Sequence, residues 1–353
     1  MSSTLSDLDR LLERFKKVVE GDEVTLPKER FKTYAITNFR GGIGKSTLAF
    51  NLAYELSRNE HSLFVDVCPQ RNFSQSLLGE DLDADTSTIY DALLPKVMPG
   101  APVVDPHELV LSVPPHCTSF KRGKRAFLIP GSSELFLFPS LLYTQLSTAS
   151  QLGTQRQETT KNILRSITAI INSVQPIAKS DKTIIDTSPF FGGGTHLAWV
   201  AADALIIPAR VDQHSMEALK LTLAMLKDEH MDFRRLNAQA GIKKIPKVHA
   251  IVMTHCGWNR QAENTPDRST QAFLRAVLDI VNDHKELFTS RDPIECIHLL
   301  DDFHSAGRIS GSRRIPLAEL SANQSFTIGN QRLEVNQSIK RYQKELKSLA
   351  STL

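Results

Sequence analysis

The chain has 353 residues, 41% of them apolar and 23% charged, with a formal net charge of +3. This is the balance of a soluble globular protein with room for a sizeable core, and the charge permits a polyanion partner without requiring one. No apolar run approaches the ~20 residues needed to span a bilayer. Cys68, Cys117, Cys256 and Cys296 lie far apart with no CxxC pair, which argues against a zinc knuckle, an iron–sulfur cluster or a disulfide framework. The segment Met1–Asp7 lacks the basic and apolar regions of a secretory signal, so a soluble, cytoplasmic protein is expected.

Leu5, Leu8, Leu11, Leu12, Phe15, Val18 and Val19 recur at helical spacing, which predicts an amphipathic helix over 5–20. Gly21 and Pro27 punctuate the chain before a first strand near 31–38. The stretch Phe39-Arg40-Gly41-Gly42-Ile43-Gly44-Lys45-Ser46-Thr47 comes next, and it opens a helix over 46–57 with Leu48, Leu52 and Leu56 on one face. Strand, glycine-rich turn and helix in that order make a phosphate site. Glycines let backbone N–H groups wrap a polyphosphate, and the helix N-terminus favours negative charge. Gly41, Gly42, Ile43, Gly44, Lys45, Ser46 and Thr47 are therefore the expected nucleotide cradle. Lys45 would reach the β- and γ-phosphates, and the Ser46 hydroxyl would join a magnesium shell. The strict Walker A pattern places glycine where this chain has Phe39.

Ser62–Val67 reads as a buried parallel strand, and residues 80–155, rich in Pro, Ser and Thr, as an irregular elaboration on the sheet containing a strand at Phe127–Pro130. A helix over about 159–178 follows, then strands near 183–186, 204–207, 248–253 and 297–300, with helices near 215–228 and 267–288. Strands alternating with helices predict an α/β fold, a doubly wound, mainly parallel sheet of the P-loop NTPase type, with ligand at the strand carboxyl ends. The expected division is 1–28 as helix and linker, 29–330 as the nucleotide-binding domain and 331–353 as a C-terminal helix.

A phosphate loop needs a magnesium partner from a neighbouring strand, and Ile184-Ile185-Asp186 supplies a carboxylate at the end of an apolar run. The segments Arg40–Thr47, Val65-Asp66-Val67-Cys68-Pro69-Gln70-Arg71-Asn72 and Ile185-Asp186-Thr187-Ser188-Pro189, in that order, resemble the ParA/MinD family of deviant Walker ATPases, its ParA branch above all. Ala201–Pro208 and the stretch from Ser305 to Pro316 are similar to later parts of that family, so the resemblance covers about 30–320. It implies ATP and Mg2+ as cofactors, a homodimer formed around ATP, and non-specific DNA binding. It also implies hydrolysis stimulated by a partner protein, and a nucleoid-associated location if DNA is bound. ATP rather than GTP follows from the resemblance, since no Asn-Lys-x-Asp motif is present.

Two positions depart from the family. Arg40 stands where it has a signature lysine that crosses to the partner's phosphates. An arginine keeps the charge and adds a planar fork, so Arg40 either acts across a dimer or simply flanks the phosphate site. Cys68 stands where the family has the second aspartate of Asp-x-Asp, and a neutral thiol cannot orient water as a carboxylate does. Slow hydrolysis is expected, with Lys45, Arg40 and Asp66 as the catalytic candidates and Ser46, Asp186 and Asp66 around the metal. Cys68 is read as a small buried residue or as a redox switch.

Phe190–His196, with three glycines, is either a γ-phosphate-sensing loop or a flexible connection. His196, His214, His255 and His304 have no metal-ligand spacing. For DNA the candidates are Arg308, Arg313 and Arg314, then Lys340, Arg341, Lys344 and Lys347 on the last helix. That helix also carries an apolar stripe, Val335, Ile339, Tyr342, Leu346 and Leu349, interrupted by Glu345. A helix docked on its own domain is favoured over one lying on a membrane as in MinD-like relatives. Three functions stay open: a DNA-associated partitioning or cargo-positioning ATPase, a non-hydrolysing nucleotide-gated scaffold, and a membrane-associated positioning ATPase.

Overall fold

A computed structural model describes residues 5–24, 29–80, 85–259 and 265–353; Pro27 lies outside them. From the amino end run α1 (Asp7–Glu20), β1 (Thr33–Ile36), α2 (Lys45–Ser57), β2 (Ser62–Asp66), α3 (Asn72–Leu78), α4 (Ile89–Val97) and α5 (Pro106–Leu109). Next come β3 (Leu111–Ser112), β4 (Ala126–Ile129), α6 (Phe138–Ala149), α7 (Arg156–Leu164), α8 (Ser166–Ala178), β5 (Lys182–Asp186) and α9 (Gly194–Ala201). They are followed by β6 (Ala204–Arg210), α10 (Gln213–Lys227), α11 (Asp232–Gln239), β7 (Lys247–Cys256), α12 (Arg268–Asp283), β8 (Ile297–Asp301) and α13 (His304–Arg313). A hairpin, β9 (Ser325–Ile328) and β10 (Gln331–Glu334), precedes α14 (Ile339–Ser351).

The sheet order is β3-β4-β2-β5-β1-β6-β7-β8, parallel throughout except for the short edge strand β3. The doubly wound α/β fold expected from the sequence is what forms. Every residue of β1, β2 and β5 is buried, as a parallel sheet covered on both faces requires. Alternation sorts them: Tyr34, Ile36 and Phe64 join the core beneath α2 and α14, whereas Ala35, Leu63 and Val65 join the core on the other face. The order also sets the site. β1 lies between β5 and β6, with Ile36 opposite Asp186, so the loop leaving β1 emerges beside the carboxylate that ends β5.

Several local expectations change. Residues 80–155 hold three α-helices, α4, α5 and α6, and add β3 and β4 to the sheet edge. The helix expected over 159–178 breaks at Arg165 into α7 and α8. Gln331–Glu334, expected within the C-terminal helix, is a strand of the hairpin, and the helix starts at Ile339.

The terminal helices dock on the domain. Leu8, Leu11, Phe15 and Val19 of α1 are buried, and a Ser6–Asp9 capping box and a left-handed Gly21 bound the helix. On α14, Ile339, Tyr342, Leu346 and Leu349 are buried against the core that holds Leu48, Leu52 and Leu56. Glu345, which interrupts that stripe, is itself buried and accepts from Asp301 N at 3.1 Å, while Arg341 pairs with Asp301 and lies over the Trp258 ring. The apolar stripe is therefore consumed by the fold and unavailable to a bilayer. None of the described helices is long and apolar enough to cross a membrane.

Candidate functional site

The loop after β1 owes its shape to two glycines. Gly42 and Gly44 take φ of 70° and 85°, and Gly44 forms the N-cap of α2. Phe39 points away from the loop and stacks on Trp199, with Phe191 at its edge, so an aromatic is accommodated at the position usually held by glycine. The Lys45 side chain is buried and folds back over the loop, donating from Nζ to the Arg40 carbonyl at 2.7 Å. Burial pushes its ammonium below the ordinary value, against the pull of Asp186 and Cys68.

Ser46 Oγ donates to Asp186 Oδ2 at 2.7 Å, so the loop and the end of β5 meet at one hydrogen bond. The other oxygen, Asp186 Oδ1, is buried with no hydrogen-bond partner among the described residues. Asp66 sits opposite Asp186 in the β2–β5 register. Burial, and then the charge of Asp66, push the Asp186 carboxyl up to about 8, while Ser46 and Lys45 pull the other way. Burial raises Asp66 too, opposed by hydrogen bonds from Ser74 and from Cys68 N. The orphaned Asp186 oxygen beside the Ser46 hydroxyl is a donor pair suited to a hard divalent cation, with the second buried carboxylate, Asp66, next to it.

Asp66 differs from Asp186 in having both oxygens hydrogen-bonded. Its Oδ2 accepts from Ser74 N at 2.8 Å and Ser74 Oγ at 2.7 Å, and its Oδ1 from Cys68 N at 3.0 Å. Gly131, whose N donates to Ser74 Oγ, packs so closely that a Cβ there would lie 2.9 Å from Asp66 Cγ. Asp66 thus stands behind the cleft wall, whereas Cys68 lines the cleft. Burial, followed by the charges of Asp66 and Asp186, pushes the Cys68 thiol up to about 12, so it is a neutral group. Sequence reading missed Ser74: a serine eight positions beyond the aspartate carries no motif.

Two cavities flank the loop and share Gly42, Gly44 and Thr47. One, of about 510 Å³, is bounded by Lys45, Ser46, Cys68, Gln70, Asn72 and Arg314. The other, of about 520 Å³, is bounded by Thr254, His255, Asp302, Phe303, His304 and Arg308, with Leu333 of the hairpin at its rim. A phosphate loop between a polar cavity and a partly apolar one is an arrangement able to hold a nucleotide, with phosphates on one side and the base on the other.

Arg40 pairs within its own chain with Asp212, the N-cap of α10, and donates to Ser215 Oγ at 2.9 Å. Burial works against the Asp212 charge, yet hydrogen bonds from Ser215 and Arg40 hold its carboxyl below the ordinary range. The Phe190–His196 stretch packs on α6, where a Cβ on Gly193 would come within 2.9 Å of Pro139 Cγ. His196 is a core residue facing Asn237, and burial pushes it down to about 4.

The three arginines considered for DNA do not share a face. Arg308 lines the second cavity, Arg313 donates to the Thr327 carbonyl, and Arg314 donates to the carbonyls of Ser76, Leu77 and His116. The cause is backbone geometry: α13 ends at Arg313, and Arg314 turns left-handed with φ of 57°. On the last helix, Lys344 caps α1 through the Val19 carbonyl.

Comparison with known proteins agrees with this layout. A family model described as an AAA domain matches residues 31–237. The chromosome partitioning protein ParA of Myxococcus xanthus is 31% identical over 186 residues, which are 52% of this chain and 54% of that protein. The chromosome-partitioning ATPase Soj of Treponema pallidum is 28% identical over 198 residues, 56% of this chain and 64% of that one. The chain therefore spans between about a half and two thirds of the length of these relatives. In fold it is similar to the apo McdA structure from Cyanothece, with a TM-score of 0.60 at 19% identity over 90% of this chain and 98% of that one. An ATP complex of a McdA variant from Cyanothece also scores 0.60, at 18% identity over 91% and 95% of the two chains.

Proposed function

This chain belongs to the ParA/MinD-type family of P-loop ATPases, and we propose that it binds ATP with Mg2+, dimerises around it and acts as a DNA-associated partitioning or positioning switch. The observation that carries the nucleotide reading is the Ser46–Asp186 hydrogen bond at the mouth of the loop, with the orphaned Asp186 Oδ1 beside it and a cavity on either side. Gly41 to Thr47 would wrap the phosphates, Lys45 would swing from the Arg40 carbonyl onto them, and Ser46 and Asp186 would hold the metal. Bound Mg2+ would supply charge neutralisation at the β- and γ-phosphates. Asp66 would act from behind, by loading Asp186 with its charge. ATP is the nucleotide held by the McdA variant of the same fold, and the DNA association follows the relatives named for chromosome partitioning.

Arg40 is free to reach a second copy only when the Asp212 pair opens, so its role across a dimer is gated by that contact. With a neutral Cys68 at the position where the family has its second aspartate, that carboxylate does not orient water, and hydrolysis is slow. That same observation favours a second reading, in which the chain is a nucleotide-gated scaffold that signals through a partner protein without hydrolysing. The test is ATP turnover by the purified protein with and without random-sequence duplex, with Lys45→Ala as the control for contaminating activity. Turnover that DNA raises and Lys45→Ala abolishes supports the cycling switch. ATP binding with no turnover under either condition sinks it for the isolated chain and leaves the scaffold.

A further inference from the structure

The connection from β3 to β4 holds a charge cluster that the nucleotide site does not use. Lys121, Arg122, Lys124 and Arg125 are four cations within five residues, and all four are exposed. None of their side chains makes a hydrogen bond or ion pair with another described residue. Their backbone, by contrast, is held firmly. Lys124 N donates to the Ser57 carbonyl at 2.6 Å, Arg125 N to His61 Nδ1 at 3.2 Å, and Ser62 N to the Arg125 carbonyl at 2.8 Å. Gly123 presses so closely on α2 that a Cβ there would stand 2.5 Å from the Ser57 oxygen. Phe120 anchors the turn from beneath, buried among Phe50, Tyr54 and Phe64.

Three of the carboxylates at this end of the molecule are engaged elsewhere. Glu319 accepts from Ser119 and Tyr54, Asp181 from His61 N, and Glu55 lies beside Arg58 at 3.5 Å. Arg58, at the carboxyl end of α2, adds a further positive charge next to the turn. The cluster is thus a turn of fixed backbone with free cations, a form that loses little loop order on meeting an anion.

We propose that the Lys121–Arg125 turn holds the phosphate backbone of duplex DNA without reading its bases, an inference that rests on the DNA-associated reading above. Charge complementarity selects a polyanion. Of the apolar residues in the connection, Val113, Cys117 and Phe120 are buried and only a proline, Pro115, is exposed, so the turn has no large apolar side chain to insert into a bilayer, and a nucleic acid is favoured over a membrane. The turn lies at the amino ends of β2 and β4, opposite the phosphate loop, and α2 runs between them, from Lys45 at the loop to Ser57 beneath the turn, a length of ~20 Å. DNA on the turn leaves the nucleotide cleft open, so both ligands bind at once.

The test is duplex affinity against salt from 50 to 200 mM, with Mg2+ and ATP present, for the wild-type protein and the variant with Lys121, Arg122, Lys124 and Arg125 all changed to Ala. Four phosphate contacts give a salt slope of about −3.6, from ~0.9 per phosphate. The variant loses most of that slope and at least about tenfold in affinity at low salt, with ATP affinity and Tm unchanged. Lys121→Glu with Lys124→Glu gives an independent variant and the same loss. Wild-type and variant duplex affinities that coincide would overturn the site while leaving a DNA-associated protein. A wild type that binds ATP but no duplex at 50 mM salt would overturn both the site and that part of the reading. Sedimentation with phosphatidylserine vesicles that depends on the turn, without duplex binding, would overturn the choice of nucleic acid.

Discussion

Asp186→Asn removes one of two carboxylates that face each other at the ends of β2 and β5, and the effect on stability can be sized from the pair. Asp186 is fully buried, and burial with the Asp66 charge lifts its carboxyl to about 8. In the unfolded chain the same group titrates near its ordinary ~3.9. Between those values the folded protein keeps a proton that the unfolded chain has released. Stability therefore falls as pH rises, by up to ~1.4 kcal/mol per pH unit for one proton, and levels off above about 8. From pH 6 to 8 the loss is ~2.3 kcal/mol, because the slope has halved by pH 8. At ~2.1 cal/mol/K of unfolding entropy per residue, a 353-residue chain gives up ~1.3 °C per kcal/mol, so this one site lowers Tm by ~3 °C. The asparagine keeps an oxygen to accept from Ser46 but has no proton to lose, and relief of Asp66 acts in the same direction. In calorimetry with EDTA and no nucleotide, the Tm of the variant should fall less over this window by that amount. Parallel Tm-against-pH curves for the two proteins from pH 6 to 8 would refute the claim that Asp186 holds a proton in the folded state.

The thiols give a second check: all four cysteines are buried, and burial raises each of them, so a native Ellman titration at pH 8 should find no fast thiol and denaturant should release four. One rapid equivalent would revive Cys68 as a redox group. Ser74→Ala strips Asp66 and Gly131 N of a buried hydrogen-bond partner and should cost ~2–3 kcal/mol in urea unfolding; an unchanged midpoint would count against the account of how Asp66 is held. Asp212→Asn opens the partly exposed Arg40 pair, worth up to ~1 kcal/mol, so ATP-dependent dimer formation should strengthen by up to ~5-fold in analytical ultracentrifugation. Weaker dimers would mean that Asp212 helps Arg40 instead of restraining it.

What the sequence made legible follows from how locally each feature is encoded. Asp66 and Asp186 end short apolar runs, and a parallel strand buried on both faces can only be such a run, so their places at the carboxyl edge could be read directly. The helices of 80–155 were hidden by proline. Pro106 opens α5 and Pro139 lies in the first turn of α6, positions that helices tolerate but that suggest loops in a sequence, while Pro95 sits inside α4, where a proline argues against a helix. The hairpin carried a turn signal in Gly329-Asn330, with Gly329 at φ of 56°, but its strands are half exposed and offer little apolar alternation. The Arg40–Asp212 pair joins residues 172 positions apart, and only the sheet order brings them together.

Cys68 fits the same electrostatics. The site contains two buried carboxylates that cannot readily both ionise, and position 68 feels the charge of both of them. An aspartate there would add a third negative group to a pocket whose nearby ammonium, Lys45, is itself weakened by burial. A thiol raised to about 12 adds no charge, so the cleft is less strained without a cation. In the proposed switch the same thiol would leave water without a carboxylate to orient it, so what stabilises the apoprotein would slow hydrolysis.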